Sequence, residues 1–522
     1  MKRLTTLTLV FALTACVLSG CATKAPEPEP YEGTQIVLAD SKITVDGAEI
    51  SADTAQAVYT ANDIVYYEEG HDFTYGEGTD ADAHSKEEAD AHTVVRITQP
   101  GQYVLSGKLS KGQIAVDLGD EAEENPEAVV TLVLNSVDIT CEVAPAVIFY
   151  SVYECGDTDT ETATKDVDTS KAGANIIIAD GSENTVNGAY VARIYKPDSV
   201  VLNEDGTEVE DAKKLHKYDA AFYSKMSMNV NGGTKGNGIL NINAENEGLD
   251  SELHLTVNGG NINIVSGNDG INTNEDYVSV TTINGGSLNI LVNGETGEGD
   301  GIDSNGWLVI NGGSVVAQAC AFSGDAGIDS DMGIHINGGY VFATGNMLDR
   351  ISESEINYAV FSFTEKQKGE NIYSLRNEKE EVLFSGEPQN DFTYLIVASE
   401  SLSAGDYTLW CEDTRLEGVS AQGMGGHAGF RPDDEMPEDF SMPEALTPPE
   451  GFEDMSRPEK PDNMPENMTP PEGFEDMPRP EGERPGGMQR PDGGVNGDFG
   501  EASVTFTIKN GENYFSSVKP VE

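Results

Sequence analysis

Short apolar runs separated by Gly, Pro and Asn dominate the chain from about residue 93. Val94, Ile97, Tyr103 and Leu105 lie in such runs, and Val129-Val130-Thr131-Leu132-Val133-Leu134 is a β-branched stretch with no helical spacing. Nothing between residues 93 and 350 sustains a 3.6-residue period, so short strands are predicted throughout. Within this region Asn-Gly-Gly recurs at Asn231, Asn258, Asn284, Asn311 and Asn337, in steps of 27, 26, 27 and 26 residues. Such a period holds three short strands with their turns, and Asn before two Gly suits a tight bend that needs positive φ. Propeller blades could repeat at a similar length, but they would carry larger aromatics and two-residue hairpin signals that are missing here. The predicted fold is therefore all-β: a right-handed parallel β-helix with three strands and 26–27 residues per rung.

A finer repeat rides on the same period. Gly248-Leu249-Asp250-Ser251-Glu252, Gly270-Ile271-Asn272-Thr273-Asn274, Gly301-Ile302-Asp303-Ser304-Asn305 and Gly327-Ile328-Asp329-Ser330-Asp331 occur once per turn. Strand alternation assigns Leu249, Ile271, Ile302 and Ile328 to the core with the small Ser251, Thr273, Ser304 and Ser330. It leaves the intervening polar residues on the outer face. An earlier copy, Ala221-Phe222-Tyr223-Ser224-Lys225, keeps the pattern without the acids.

Equivalent residues of successive rungs stack about 4.8 Å apart, so one polar position per rung becomes a column. Three columns follow: Asp250, Asn272, Asp303, Asp329; then Glu252, Asn274, Asn305, Asp331; and, in the preceding turn, Glu247, Asp269, Asp300, Ala326. Eight of these twelve residues are carboxylates. Like charges at that spacing repel by about 1 kcal/mol per pair even at the dielectric of water. Lys and Arg are nearly missing from residues 236–349, so protein cations are not expected to neutralise them. Carboxylate and amide oxygens in this number are what Ca2+ takes, whereas zinc would call for clustered His or Cys. The alternative is that the Asn and Asp columns only hydrogen-bond along the turn. A nine-residue Gly-rich calcium roll is not matched.

Outward aromatics are few. Trp307, Tyr277 and Tyr340 are the candidates for stacking on a sugar ring, with cover by a loop the competing reading. His254 and His335 are read as surface strand residues, not as ligands. Lys225 and Lys235, near the start of the acidic repeat, are the basic side chains that could act as a catalytic base, and equally ordinary surface lysines.

The ends and the overall charge narrow the setting. Lys2 and Arg3 precede an apolar run from Leu7 to Leu18, and Leu18-Ser19-Gly20-Cys21 resembles the bacterial lipobox, which predicts cleavage after residue 20 and diacylation of Cys21. A lipid anchor would hold an exported protein on the cell membrane, facing the cell surface. With 91 acidic against 31 basic side chains, the net charge of -60 excludes nucleic acid as a partner. Cys141, Cys155, Cys320 and Cys411 remain after the signal, and spacing alone leaves any pairing open. The expected organisation is a signal peptide over 1–20, a Pro-rich tether over 21–40, the β-helix over 41–350 and a C-terminal β element over 351–420. A disordered Pro, Gly, Met and Glu-rich segment over 421–499 and a final strand in 500–522 complete it. Residues 41–92, with Ile43, Val45, Ile50 and Val58, either start the first rung or cap it.

The stretch from Val94 to Asn346, with Ile97-Thr98, Pro100-Gly101, Leu105-Ser106-Gly107, Asn184-Thr185-Val186 and the Gly-Ile-Asp-Ser and Asn-Gly-Gly repeats, resembles the clostridial carbohydrate-binding β-helix family of cell-surface lipoproteins. The resemblance implies calcium on the helix turns, recognition of cellulose or acidic pectic polymers such as polygalacturonate, and a fold like that of polysaccharide lyases. Asn272 stands where the family has an acid, Ala326 interrupts a column, and the tail after residue 420 lies outside the shared pattern. Non-catalytic capture of polysaccharide is thus the leading expectation, with a calcium-dependent pectate-lyase-like enzyme or a structural adhesin as alternatives.

Overall fold

The structure is a computed structural model that describes residues 31–425 and 494–521. The predicted signal peptide, Cys21 and most of the 421–499 segment lie outside the described residues. Among the described residues the fold is all-β, apart from one turn of α-helix at Lys86–Asp90 and a short 3-10 turn. Ser85 and Glu88 close the helix start with a reciprocal capping box.

Three parallel ladders organise the repeat. In the first, residues 130–134 pair with Ala174–Ile178, then come Met228–Gly232, His254–Val257, Val280–Ile283, Trp307–Ile310 and Gly333–Ile336. The second stacks Glu183–Gly188, Ile239–Ala244, Asn261–Ser266, Ser287–Val292, Ser314–Gln318 and Tyr340–Gly345. The third runs from Thr93–Ile97 through Gly112–Asp117, Val147–Ser151, Ala220–Ser224 and Glu247–Ser251 to Ile271–Thr273, and a single bridge extends it to Ile302. Each 26–27-residue period feeds one strand to each of the first two ladders, and the Gly-Ile-Asp-Ser segments feed the third. Inward residues such as Leu249, Ile271, Ile302, Leu288 and Ile290 merge into one continuous apolar core.

The Asn-Gly-Gly turns repeat because each copy solves the same two problems. The second glycine takes positive φ at Gly260, Gly286, Gly313 and Gly339, a conformation costly for any residue with a Cβ. The asparagines form a ladder in which each Nδ2 donates to the Oδ1 of the rung before, from Asn258 to Asn231 (2.9 Å), Asn284 to Asn258 (2.9 Å), Asn311 to Asn284 (2.9 Å) and Asn337 to Asn311 (2.8 Å).

The repeat ends differently from the sequence expectation at both sides. The span assigned to a tether contains a strand, Thr34–Leu38, which pairs in parallel with residues 103–107; Ile36 and Leu38 alternate into the core behind the Pro-rich run. Val58–Ala61 pairs antiparallel with residues 94–97, so this part of 41–92 acts as a cap, not as a further parallel strand. At the other side the parallel pairing passes residue 350, because Ile351–Ser354 still joins Gly333–Ile336. Phe392–Ser399 then lies antiparallel along Tyr340–Gly345. A second, aromatic core containing Phe361, Phe363, Tyr373, Phe384, Phe392, Phe506 and Phe515 builds the C-terminal element. Its strands Thr414–Gly425 and Gly494–Ser503 pair with each other, so both edges of the segment expected to be disordered are strand.

Candidate acidic site

Asp250 pairs with Asn272 in register, and Ile271 with Ile302, so the acidic positions stack as the alignment places them. Their environment is the correction. Asp250 and Asp329 are 0% exposed, and Glu247, Asp269, Asn272, Asn274, Asp300 and Asp303 are also buried, whereas the outer face of a solenoid would leave them in water. Glu252, Asn305 and Asp331, at the rim, are half-buried. Strand alternation distinguishes the two faces of a sheet but does not reveal whether another segment covers the polar one.

Burial forces the columns to satisfy one another. Asn272 Nδ2 donates to Glu247 Oε1 (3.1 Å), and Asn274 Nδ2 to Asp250 Oδ1 (2.6 Å). The backbone N–H of Asp300 donates to Asp269 Oδ1 (2.7 Å), and that of Ala326 to Asp300 Oδ1 (2.6 Å). Asn305 Nδ2 donates to Asp276 Oδ1 (2.9 Å). Three buried oxygens, Glu247 Oε2, Asp250 Oδ2 and Asn272 Oδ1, receive no hydrogen bond. Leaving such acceptors unsatisfied away from water costs about 1–3 kcal/mol each, more if charged.

Five further residues belong to the site. Arg193 meets Asp219 at 3.0 Å, and Lys217 lies 3.9 Å from Glu252. Tyr223 donates its hydroxyl to Glu252 Oε1 (2.6 Å). Asp349 Oδ2 accepts from the Ser330 N–H (3.0 Å) at the opposite end. The lack of Lys and Arg inside the repeat is thus offset at its first acidic rung by two cations from the preceding segment, and Asp219 and Asp349 add carboxylates on either side. Their signal in the sequence was faint: one lone Arg and one Lys in an excursion between strands, and an Asp after the last repeat.

The charges here are strained. Burial, reinforced by the Asp219 carboxylate, pushes Glu247 up to about 8. Burial also raises Asp250 well above the usual carboxylate range, with Glu247 and Glu252 adding to it. Asp349 is pushed up to about 7 by burial, Asp303 contributing. At the far end Asp300, Asp303 and Asp329, all buried, bring carboxylate oxygens within 4.8 Å of one another. Two oxygens bound to one calcium at about 2.4 Å each can stand no farther apart than that. The donor set is all oxygen, with neither His nor Cys among these ligands, which fits a hard divalent cation and not zinc.

The other candidates fall away from this site. Trp307 is only 9% exposed and packs with Val280, Val309, Ala163, Val167 and Met332, so a loop covers it and no flat face is offered to a sugar. Tyr340 stacks on Phe384 at 5.0 Å as part of the junction with the C-terminal element. Tyr277 is half-buried at a positive-φ turn (φ 61). His254 and His335 are buried, not surface residues: Nδ1 of His254 accepts from the Val280 N–H (3.1 Å), and His335 faces Glu353 at 3.3 Å. Lys225 reaches Glu123 (3.2 Å), and the backbone of Lys235 binds Asp180, so neither stands beside the carboxylate trio. Cys141, Cys155, Cys320 and Cys411 are all free thiols.

Comparison with known proteins now adds to this geometry. A curated relative from Acetivibrio thermocellus (strain ATCC 27405), described as a carbohydrate-binding domain-containing protein, is 31% identical over 172 residues, covering 33% of this chain and 44% of the relative. The chain thus aligns to less than half of that relative's length. A solved structure described as the polysaccharide lyase-like protein from C. thermocellum, a gadolinium derivative, aligns over 62% of this chain and 95% of its own at 20% identity, with a TM-score of 0.33. The family model described as carbohydrate-binding domain-containing protein matches residues 91–359, just over half of the chain and the whole of the acidic repeat, and the chain belongs to that family.

Proposed function

We propose that this protein is a non-catalytic polysaccharide binder built as a right-handed parallel β-helix, whose acidic columns hold calcium. The carrying observation is the trio Asp300, Asp303 and Asp329: three buried carboxylates within 4.8 Å of one another in a chain belonging to a carbohydrate-binding family. The three parallel ladders with a 26–27-residue period support the helical winding. Calcium would supply the positive charge that this stack of buried carboxylates requires.

Burial changes the part the ion plays. Most of the columns face protein, so calcium there locks adjacent turns together. Of the rim residues, Glu252 is already engaged by Tyr223 and Lys217, so Asn305 and Asp331 are the ones that stand where a sugar carboxylate can share an ion with the protein. An acidic pectic polymer would use that rim; cellulose would need only the surface that calcium stiffens. Cys21, outside the described residues, is proposed to carry a lipid that keeps the protein at the cell surface.

Retention of the purified protein on polygalacturonate and on cellulose, with and without chelator, tests the reading. Retention on at least one polymer, reduced by chelator, is expected. A protein that holds no calcium and melts at the same temperature with and without chelator has no calcium site. Appearance of absorbance from unsaturated sugar in polygalacturonate would make it a lyase.

A further inference from the structure

A groove of about 410 Å³ runs along the outer side of the first ladder, bounded on one side by the Asn-Gly-Gly corner and on the other by residues 165–170. Its floor is regular: Asn258, Asn284 and Asn311 are exposed, Asn337 and Thr282 half-buried, and together they line the groove one rung after another. The opposite wall is held in place, because Thr169 hydrogen-bonds to Asn229 (2.8 Å) and to Thr256 (2.7 Å), while Val167 joins the cluster around Trp307.

The chemistry of this floor selects a ligand. Along the ladder, Asn258, Asn284 and Asn311 each give one N–H to the previous rung and accept one from the next. A primary amide has two N–H groups and two lone pairs, so one donor and one acceptor per rung remain for a ligand. A pair of neighbouring sugar hydroxyls matches that donor–acceptor pair, and an extended pyranose chain advances by a distance comparable to the rung spacing of about 4.8 Å. The charge in the groove argues against uronates: its lysine, Lys165, is already paired with Asp166 (3.0 Å), and Asp168 adds a second carboxylate. We propose that this groove is a binding site for an uncharged, extended polysaccharide chain, lying along the asparagine ladder and distinct from the acidic site. The assignment rests on the polysaccharide-binding reading above and names the substrate class that this face takes.

The test uses the full chain, with cellohexaose as the soluble probe in calorimetric titration and cellulose and polygalacturonate as solid phases. Thr282→Phe fills the groove floor while leaving the amide ladder intact; Asp166→Ala removes an exposed carboxylate from the wall and serves if the first variant melts early. Binding of cellohexaose that weakens about tenfold or more in Thr282→Phe and measurably in Asp166→Ala, at unchanged melting temperature, is expected. Retention on polygalacturonate should be unaffected. Cellohexaose bound equally by wild type and both variants, or wild type retained on polygalacturonate but not on cellulose, overturns the groove and leaves the wider reading standing. Wild type retained on neither polymer overturns both.

Discussion

Glu247→Gln, compared with the wild type in chelator and in calcium, measures the electrostatic cost of the acidic column. Burial and Asp219 push this carboxyl from an ordinary 4.5 up to about 8. A group whose pKa is higher in the folded than in the unfolded chain favours the fold while protonated. Its contribution is full below about pH 4.5 and is lost as pH rises through about 8. One proton over that window, at about 1.4 kcal/mol per pH unit, sets a ceiling of about 5 kcal/mol on the cost of ionising Glu247 without a cation. Asp250 raises the cost further through its own buried carboxylate. Calorimetric melting from pH 5 to pH 8 in chelator should show the wild type losing stability with pH more steeply than Glu247→Gln, by up to one proton's worth. Calcium should remove that excess slope, because the cation favours the ionised form. The net charge of -60 contributes its own pH dependence, which the comparison at equal pH cancels to within the one charge exchanged. Identical slopes for the two proteins in chelator would refute the reasoning.

Three further outcomes are expected. Asp303→Asn should weaken calcium binding by about tenfold or more in titration calorimetry, without destabilising the chelated protein, since it removes one carboxylate from a repelling set. Trp307→Ala should cost about 3–5 kcal/mol in thermal or denaturant melting, because it empties a packed cluster under a loop; a loss of sugar affinity with no loss of stability would restore the stacking role. Gly301→Ala should destabilise by about 3 kcal/mol or more, since a Cβ there would stand 2.3 Å from the Gly327 carbonyl oxygen of the next rung.

The periodic part of the molecule was legible because its signal is repeated. Asn-Gly-Gly and Gly-Ile-Asp-Ser specify turn and register independently, and pairings such as Asp250 with Asn272 follow from the alignment alone. What failed was everything that happens once. The strand Thr34–Leu38 stands behind a Pro-rich run and offers only Ile36 and Leu38 as its inward pair. Arg193, Lys217 and Asp219 come from an irregular excursion ahead of the repeat, so the sequence period carries no information about them. The cations at the first acidic rung come from such a non-repeating segment, and Trp307 looked exposed for the same reason: the loop containing Ala163 and Val167 belongs to no rung.

The strand Phe392–Ser399, laid in reverse along Tyr340–Gly345, bears on how the protein behaves at high concentration. A parallel stack of near-identical rungs exposes at its last strand the same row of N–H and C=O groups that each internal rung uses to hold the next, and so could accept a strand from another molecule. Reversing the chain direction there, and backing the reversed strand with the aromatic core of Phe361, Phe392 and Phe515, closes that edge. The C-terminal element is therefore a terminator of self-assembly, and a chain cut before residue 392 would be prone to grow into fibres.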